Sequence, residues 1–309
     1  MEKFRWAYVG CGGIARITAK QIISSDRHEI ISVCSRNIEN AKKFARKFGG
    51  QAYDNIAEAV SRADVDGVYI CSTNNAHYAN ALEAIEAGKP VLLEKPVTLT
   101  AVEAEKLFAA AEARGVYLAE AMWTWFNPVA NKVKEWVNDG RIGRIKTIDL
   151  SLELNLLLLN KRNNRLLSAE LGGGALLDLG VYPITYCYRL LGKPQSVECE
   201  FRTLGGVDAG EKITMHYENT TCTMRVALDK LRREQAYIVG ESGKIVIPRF
   251  HATKKAVLTA ANMEVFRGNC GYVCEFDAVA DEIRAGLTES RFVPKQATLD
   301  VMHIMDKLR

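Results

Sequence analysis

The chain of 309 residues has few histidines, little net charge and no long apolar run, and each shortage excludes a class of protein. No apolar run reaches the roughly 20 residues that a membrane helix requires, so we expect no membrane partner. A net charge of +4 is too small to indicate a nucleic-acid partner. The five histidines form no cluster in the sequence, and we expect no metal site.

The eight cysteines are scattered, and most of them fall inside apolar runs. This placement predicts buried free thiols in a reducing compartment. Cys270 and Cys274 have a C-x-x-x-C spacing, which matches no strong metal or redox motif. A first strand that begins at Phe4, with no leader-like segment before it, adds to the expectation of a cytoplasmic protein.

The first 121 residues alternate between strand-like and helical patterns. Strands are predicted at 4–10, 29–35, 51–53, 67–72, 90–94 and 116–121, and helices at 14–24, 38–48, 56–62, 77–87 and 101–113. Such alternation indicates a parallel sheet with right-handed crossovers and helices on both faces. We therefore predict an α/β, doubly wound nucleotide-binding (Rossmann) domain over residues 1–121.

After residue 121, strands follow one another with short turns. Strands are predicted at 144–159, 196–204, 212–217, 221–228, 236–239 and 244–247, and helices at 129–138, 175–191, 273–285 and 296–308. This pattern predicts an α+β domain over 122–309 with a large, open, mostly antiparallel sheet, one face of which the last three helices cover. The apolar run Leu156–Leu159 makes us expect a homodimer or homotetramer through the other face.

A glycine-rich pattern, G-x-G-x-x-A, lies where the first strand leads into a helix. Gly10 permits a tight turn, Gly12 lets the backbone approach a pyrophosphate, and Ala15 keeps the helix close to the strand. Gly13 and Ile14 complete the turn, and the helix N–H groups there would face phosphates. The alternative is a glycine-rich turn without a ligand, but the strand–helix–strand context favours a dinucleotide.

The end of the second strand indicates which dinucleotide binds. An NAD-binding domain usually carries an acid there, whereas this chain has Ser35 and Arg36. A guanidinium forms charge-assisted bonds with a 2′-phosphate, which a carboxylate would repel. We predict NADP(H) rather than NAD(H), the alternative being that Arg36 is only a surface charge. The missing acid also argues against S-adenosylmethionine.

Two further stretches carry groups suited to proton transfer. Lys95 follows a buried strand within Glu94-Lys95-Pro96, at the carboxyl edge of the sheet where ligands bind. Asp178 and Tyr182 follow three glycines, and their spacing of four would place them on one helix face. The alternative for this pair is a helix-stabilising carboxylate and a core tyrosine.

Lys95 and Tyr182 together would suit hydride transfer at an alcohol carbon, which needs a proton acceptor or donor. An ammonium about 4 Å from the phenol contributes on the order of 4 kcal/mol at an effective dielectric of about 20. That energy lowers the pKa of the phenol by about three units, towards neutrality. We therefore predict that the two side chains converge in the folded protein.

These motifs, in this order and over essentially the whole chain, resemble those of the Gfo/Idh/MocA oxidoreductases. Tyrosine rather than histidine at Tyr182 is similar to the branch of dihydrodiol and D-xylose dehydrogenases, which uses NADP(H). The resemblance implies that Lys95 is catalytic, that Tyr182 is the acid/base, that Asp178 contacts substrate, and that the Lys95–Pro96 bond is cis.

The resemblance also implies looser roles. The segment after the fourth strand would contact ribose and nicotinamide, as would Glu94; this segment contains Ser72, Thr73, Asn74, Asn75 and His77. His77 could equally cap the next helix. Trp123 and Phe126 would wall the nicotinamide or substrate, or form core at the domain junction. Trp125 stands where the dihydrodiol dehydrogenases have arginine, which puts the substrate of that group in doubt.

The sequence thus predicts an NADP(H)-dependent dehydrogenase or reductase acting on a small polyhydroxylated molecule, a sugar or cyclic diol. Arg165, in the loop before the glycines, could meet a polar substrate. One alternative is a reductase of a non-sugar ketone or imine. Another is a non-enzymatic NADP(H) sensor with a protein partner, which would not need Lys95, Asp178 and Tyr182.

Overall fold

The structure is a computed structural model that describes residues 2–159 and 165–309. The chain forms two compact units, and each unit consists of two separate segments. The first unit contains the residues up to Trp123 together with Gly271–Leu299. The second contains Thr124–Cys270 and Asp300–Arg309.

A six-stranded parallel sheet in the order β3-β2-β1-β4-β5-β6 forms the centre of the first unit. Its strands are β1 Phe4–Val9, β2 His28–Cys34, β3 Gln51–Tyr53, β4 Gly67–Ile70, β5 Val91–Glu94 and β6 Leu118–Ala121. The helices between them are α1 Gly13–Ile22, α2 Ile38–Phe48, α3 Ile56–Val60, α4 His77–Glu86 and α5 Ala101–Arg114. The predicted doubly wound fold is confirmed, with element ends that shift by one or two residues.

An eight-stranded sheet in the order β14-β13-β12-β11-β7-β10-β9-β8 forms the second unit. Its strands are β7 Ile145–Glu153, β8 Ser196–Leu204, β9 Val207–His216, β10 Thr221–Ala227, β11 Gln235–Gly240, β12 Lys244–Pro248, β13 Lys255–Thr259 and β14 Met263–Arg267. The helices before β8 are α6 Pro128–Asn138, α7 Leu156–Leu159 and α8 Val181–Leu191. Strands β7 and β10 pair in parallel and the other neighbouring strands of this sheet pair antiparallel, so the predicted α+β class is confirmed.

Three features of the second unit differ from the prediction. Strand β7 ends at Glu153, and Leu156–Leu159 forms the short helix α7, so this apolar run is not part of the sheet. The last two strands, β13 and the edge strand β14, were not predicted. Five residues, Leu176–Gly180, form a π-helix before α8 instead of continuing one α-helix from 175. Pro183 explains this change, because it has no N–H for the Leu179 carbonyl and its ring crowds that carbonyl in an α-helix.

The helix α9, Val273–Arg284, belongs to the first unit, whereas the prediction placed it on the second sheet within a domain of residues 122–309. The reason is aromatic packing. The Phe276 ring lies edge-on to Trp6 at 5.0 Å and to Tyr69 at 4.9 Å between ring centroids. These contacts cover strands β1 and β4, as edge-to-face aromatic pairs do in protein cores. The last helix, α10 Lys295–Asp306, is divided between the two units at Leu299 and Asp300.

One face of the second sheet carries a row of apolar side chains that we call the apolar row. The strand register places Tyr237, Val246, Val257 and Val265 side by side across β11 to β14. Tyr237 is 37% exposed and Val265 is 45% exposed. Solvent therefore reaches a continuous apolar surface on these strands.

Six cysteines are free thiols, as predicted: Cys11, Cys34, Cys71, Cys187, Cys199 and Cys222. Cys270 and Cys274 are instead disulfide-bonded, which their spacing did not predict. Gly271 between them has a φ of 63°, a left-handed turn that a regular helix or strand pattern does not reveal. Within the described residues, no helix combines the length and the apolar character needed to span a bilayer.

Candidate active site

The turn after β1 can hold only glycine at its first position. Gly10 has a φ of 117°, and a Cβ there would lie 2.6 Å from the Cys71 carbonyl oxygen. Its N–H donates to the Cys34 carbonyl oxygen at 2.9 Å. The ends of β1, β2 and β4 therefore meet at Gly10, where the strand order of the sheet reverses and doubly wound folds bind their ligand.

The beginning of α1 is open to solvent. A Cβ on Gly12 or Gly13 would have no atom within 4 Å. No side chain caps the helix and no acid lies in its first turn, while Ala15 is fully buried against the sheet. The partial positive charge of the helix N-terminus thus faces open space beside Ile14, which fits a pyrophosphate.

The end of β2 offers a cation in place of the usual acid. The Ser35 N–H donates to the Tyr53 carbonyl oxygen at 3.1 Å, which fixes the backbone there. Arg36 is exposed, and none of the described carboxylates forms an ion pair with it. These residues fit a nucleotide with a 2′-phosphate, because an unshared guanidinium can bind the phosphate bidentately.

The segment after β4 is shaped by its own hydrogen bonds. The Ser72 hydroxyl accepts from the Asn80 amide at 3.0 Å, and the Thr73 hydroxyl donates to Asn75 Oδ1 at 2.8 Å. Asn74 is 5% exposed at the start of a single 3₁₀ turn. The structure therefore places these polar residues directly after the strand that neighbours β1.

His77 connects this segment to the Lys95 turn. Its ring is buried, and Nδ1 lies 2.9 Å from the Pro96 carbonyl oxygen. The N-cap position of α4 is occupied by Ala76, and His77 is the first residue of the helix. The Lys95–Pro96 bond is cis, as the resemblance implied. The His77 ring thus packs onto the backbone that carries Lys95.

Two buried carboxyl groups, those of Glu94 and Glu120, lie near the half-buried Lys95. Glu94 accepts from the Tyr69 hydroxyl at 2.5 Å and from the Lys95 N–H at 3.2 Å. Glu120, at the end of β6, is 2% exposed and accepts from the Thr298 hydroxyl at 3.0 Å. Burial raises the pKa of Glu120 to about 7, and the Lys95 charge opposes this rise.

Glu120 was missed in the sequence, although the signal was there. Like Glu94, it is a carboxylate near the carboxyl end of an apolar strand of the same sheet, and the two strands are neighbours. Tyr272 was missed for a different reason. Its ring lies 4.7 Å from that of the nearly buried Trp123, but it comes from the segment Gly271–Leu299, far away in sequence.

In the second unit, Asp178 lies on the π-helix and pairs with Arg165. Arg165 Nη2 donates to Asp178 Oδ1 at 2.9 Å, and the arginine side chain is 42% exposed. The structure thus brings together two residues that the sequence named separately. The Arg165 guanidinium therefore positions the Asp178 carboxylate and balances its charge.

The three glycines before Asp178 allow a close backbone approach. A Cβ on Gly173 would lie 2.6 Å from the Arg165 carbonyl oxygen, and one on Gly174 would collide with the Asp208 carboxylate. Asp208 Oδ2 accepts from the Leu176 N–H at 2.6 Å, where the π-helix begins. Burial, followed by the nearby Asp208 charge, raises the pKa of Glu211 to about 9.

Tyr182 lies in the first turn of α8 and is 9% exposed. Its ring centroid is 5.4 Å from that of His251. His251 Nδ1 lies 2.6 Å from Glu234 Oε1. The sequence did not indicate His251 or Glu234. Neither residue belongs to a motif, and both are far from Tyr182 in the sequence.

The aromatic segment after Trp123 begins the second unit. Trp125 and Phe126 are each 5% exposed. The Arg189 guanidinium lies over the Trp125 ring, 5.2 Å from its centroid, and donates to Asn131. Trp125, which the sequence singled out, is therefore a buried ring covered by an arginine cation.

A doubly wound sheet with this glycine turn, followed by a unit with Asp178 and Tyr182, defines a two-unit oxidoreductase of the dinucleotide-binding class. The family model "Oxidoreductase family, NAD-binding Rossmann fold" of Gfo/Idh/MocA matches residues 4–122. The Gfo/Idh/MocA C-terminal domain model matches residues 130–246. The chain belongs to the Gfo/Idh/MocA oxidoreductases, which confirms the resemblance.

Similar proteins span nearly the whole chain. The D-xylose 1-dehydrogenase (NADP(+)) of Hypocrea jecorina is 30% identical over 98% of this chain and 90% of its own length. The trans-1,2-dihydrobenzene-1,2-diol dehydrogenase of Mus musculus is 28% identical over 99% and 96%. A crystal structure of a 3-ketoreductase from Actinomadura kijaniata with NADP and TDP-benzene superimposes with a TM-score of 0.90, at 26% identity, covering 100% of this chain and 97% of that one.

Proposed function

We propose that this protein is an NADP(H)-dependent dehydrogenase or reductase that acts on a hydroxyl or carbonyl carbon of a small polyhydroxylated substrate, a sugar or a cyclic diol. One observation carries the proposal. An open helix N-terminus followed by an exposed Arg36, as NADP(H) requires, occurs in the same chain as Lys95, Asp178 and Tyr182. A nucleotide-binding protein without chemistry would need only the first of these features.

The first unit would bind the cofactor. The N–H groups at Gly12, Gly13 and Ile14 would bind the pyrophosphate, and Ser35 and Arg36 would bind the 2′-phosphate. The segment Ser72–His77, Glu94 and Trp123 would contact ribose and nicotinamide. When bound, the nicotinamide supplies the hydride chemistry.

The remaining residues would move the proton and hold the substrate. Tyr182 would accept the hydroxyl proton during oxidation and return it during reduction, while the Lys95 ammonium would stabilise the phenolate. Asp178 would accept a hydrogen bond from a substrate hydroxyl. Arg165 would balance the charge of Asp178 and extend towards the substrate, and Phe126 would provide an apolar wall.

The substrate class rests on the relatives. Their names describe the oxidation of D-xylose and of a cyclic dihydrodiol, and the reduction of a sugar-nucleotide ketone. Each reaction takes place at an oxygen-bearing carbon of a small ring.

A substrate screen tests the proposal. Aldoses, polyols and cyclic trans-diols would be incubated with NADP⁺ or NAD⁺, and sugar ketones, simple ketones and imines with NADPH, while the absorbance of the reduced cofactor is followed. We expect turnover with a sugar or cyclic diol and a preference for NADP⁺. Turnover confined to simple ketones or imines would show that the protein is a reductase of non-sugar substrates. Tight NADPH binding without turnover would indicate a non-enzymatic NADP(H) sensor.

We also propose that the protein is a homodimer or homotetramer that forms through the apolar row. An exposed apolar row across four strands is costly to leave in water. Tyr237→Glu should shift the protein to a monomer in size-exclusion chromatography with light scattering. If the molar mass of Tyr237→Glu equals that of wild type, the apolar row is not the subunit interface. We propose a cytoplasmic location on the basis of the six free thiols; the disulfide-bonded Cys270 and Cys274 count against it.

A further inference from the structure

His251 lies next to Tyr182 in an arrangement that extends along helix α8. Tyr182 and Tyr186 are one helical turn apart on α8, so their rings lie on the same side. The single 3₁₀ turn Phe250–Ala252 packs along that side. Phe250 contacts Tyr186 at 5.6 Å and His251 contacts Tyr182 at 5.4 Å between ring centroids.

This turn is fixed at both of its ends. Arg249 before it adopts a φ of 51°, and its N–H donates to the Glu234 carbonyl oxygen at 3.0 Å. Thr253 after it accepts from the Asn127 amide at 3.0 Å. Phe250 is 1% exposed. The backbone that carries His251 is therefore attached to the residue before β11 on one side and to the residue that caps α6 on the other.

Glu234 fixes the imidazole itself. Its Oε1 accepts from the His251 backbone N–H at 2.9 Å and lies 2.6 Å from Nδ1. Because a carboxylate is an acceptor, the Nδ1 position carries the hydrogen. A carboxylate bonded to one ring nitrogen sets both the tautomer and the rotation of a histidine.

Simple packing does not require this arrangement. The Glu234 side chain is 6% exposed, and burying a carboxylate costs free energy unless it is hydrogen-bonded. An apolar ring would fill the space next to Tyr182 without that cost. The buried carboxylate is instead used to orient one imidazole, which lies against the phenol that the proposed function assigns to proton transfer.

We propose that His251, oriented by Glu234, is a positioning residue for Tyr182. It holds the phenol ring from the side so that the hydroxyl keeps one direction during turnover. The inference rests on the proposed function of Tyr182. Misplacement of a reacting group by about 1 Å can cost on the order of 100-fold in rate.

The test is a double-mutant cycle with D-xylose or, if the screen selects another substrate, with that substrate, and NADP⁺. We expect His251→Ala to lower kcat about 10-fold to 100-fold, with little change in the KM for NADP⁺. Tyr182→Phe should lower kcat further, and adding His251→Ala to it should cause no additional loss. Glu234→Ala should match His251→Ala, whereas Glu234→Gln, which keeps an acceptor oxygen, should retain most of the activity.

His216 provides a matched control in the same unit. Its Nε2 lies 3.5 Å from Glu198 Oε1, but its side chain is 38% exposed and it is part of β9. His216→Ala should leave kcat unchanged. Thermal unfolding of every variant would show that the fold is kept.

A spectroscopic measurement covers the case in which no substrate is known. In protein with ¹³C-labelled tyrosine rings, the Tyr182 signal is the one lost in Tyr182→Phe. We expect His251→Ala to shift or broaden that signal and His216→Ala to leave it unchanged; an unchanged signal in both would overturn the inference.

The kinetic outcomes separate the two proposals. Normal turnover of Tyr182→Phe would overturn the role of Tyr182 and with it the proposed function. Loss of turnover in Tyr182→Phe, combined with an unaffected His251→Ala or with additive losses in the double variant, would overturn only the positioning role of His251.

Discussion

The two units differ in what they present to a ligand. The first presents mainly backbone: a glycine at a φ of 117°, an uncapped helix start and a cis peptide bond. The second presents side chains that meet from distant segments, such as Asp178 with Arg165 and Tyr182 with His251. Backbone sites need particular residues in immediate succession and so leave short motifs, whereas side-chain sites depend on packing.

The largest expected effect concerns Lys95. This residue would act through its side chain, although the first unit presents mainly backbone to a ligand. Lys95→Met keeps the length and removes the charge, so we expect kcat to fall by about 10²–10⁴ while NADPH binding is kept. Steady-state kinetics would measure kcat, and fluorescence titration with NADPH would measure the affinity for the cofactor. Lys47→Met, on the surface of α2, should change neither. Near-normal turnover of Lys95→Met would reject the mechanism.

Two glycine variants separate the effects on folding and on cofactor binding within the first unit. Gly10→Ala would place a methyl group against the Cys71 carbonyl at an unfavourable φ, and it should destabilise the unit by about 2 kcal/mol or more. Gly12→Ala meets no protein atom, so it should fold normally but bind NADPH at least about tenfold more weakly. Thermal unfolding and NADPH titration would separate the two effects. Wild-type affinity in Gly12→Ala would contradict a pyrophosphate site there.

Arg36 tests the charged contact that we expect to distinguish NADP(H) from NAD(H). Arg36→Ala should weaken NADP(H) about 10-fold to 100-fold, because a charge-assisted bond to the 2′-phosphate is lost, and should leave NAD(H) unchanged. Dissociation constants for both cofactors would be compared with those of Arg46→Ala on the neighbouring helix face. An equal loss for both cofactors would mean that Arg36 does not select the 2′-phosphate.

The same contrast explains how much could be predicted from the sequence. The doubly wound sheet was predicted because its strands and helices alternate in local patterns. The strands Lys255–Thr259 and Met263–Arg267 were missed because each has only five residues, too few for an alternating pattern to be recognised in the sequence. Helix α9 was placed on the wrong sheet because its pattern shows that one side is apolar, and not which sheet that side covers.

The candidate site divides in the same way. Gly10, Lys95 and Tyr182 lie in recognisable motifs. Glu234 and His251 do not, since their relation to Tyr182 arises only when β11 and the turn after β12 pack beside α8. The π-helix could not be predicted either. Pro183 indicates that the regular α-helix is interrupted, but not that a π-helix takes its place.

The last prediction concerns the stability of the second unit, whose Asp178 lies on a π-helix that begins at the Asp208 carboxylate. Burial and the Asp208 charge raise the pKa of Glu211 to about 9, above its ordinary 4.5. Between these values the folded state holds a proton that the unfolded state has released, so stability is full below the lower value and falls as pH rises towards 9. One such proton changes the unfolding free energy by about 1.4 kcal/mol per pH unit. Glu211→Gln cannot lose a proton. Its free energy of unfolding, measured with urea at pH 6 to 8, should therefore depend less on pH than that of wild type. Glu218→Gln, at an exposed turn, should keep the wild-type slope, and equal slopes in all three proteins would mean that Glu211 is already ionised in the fold.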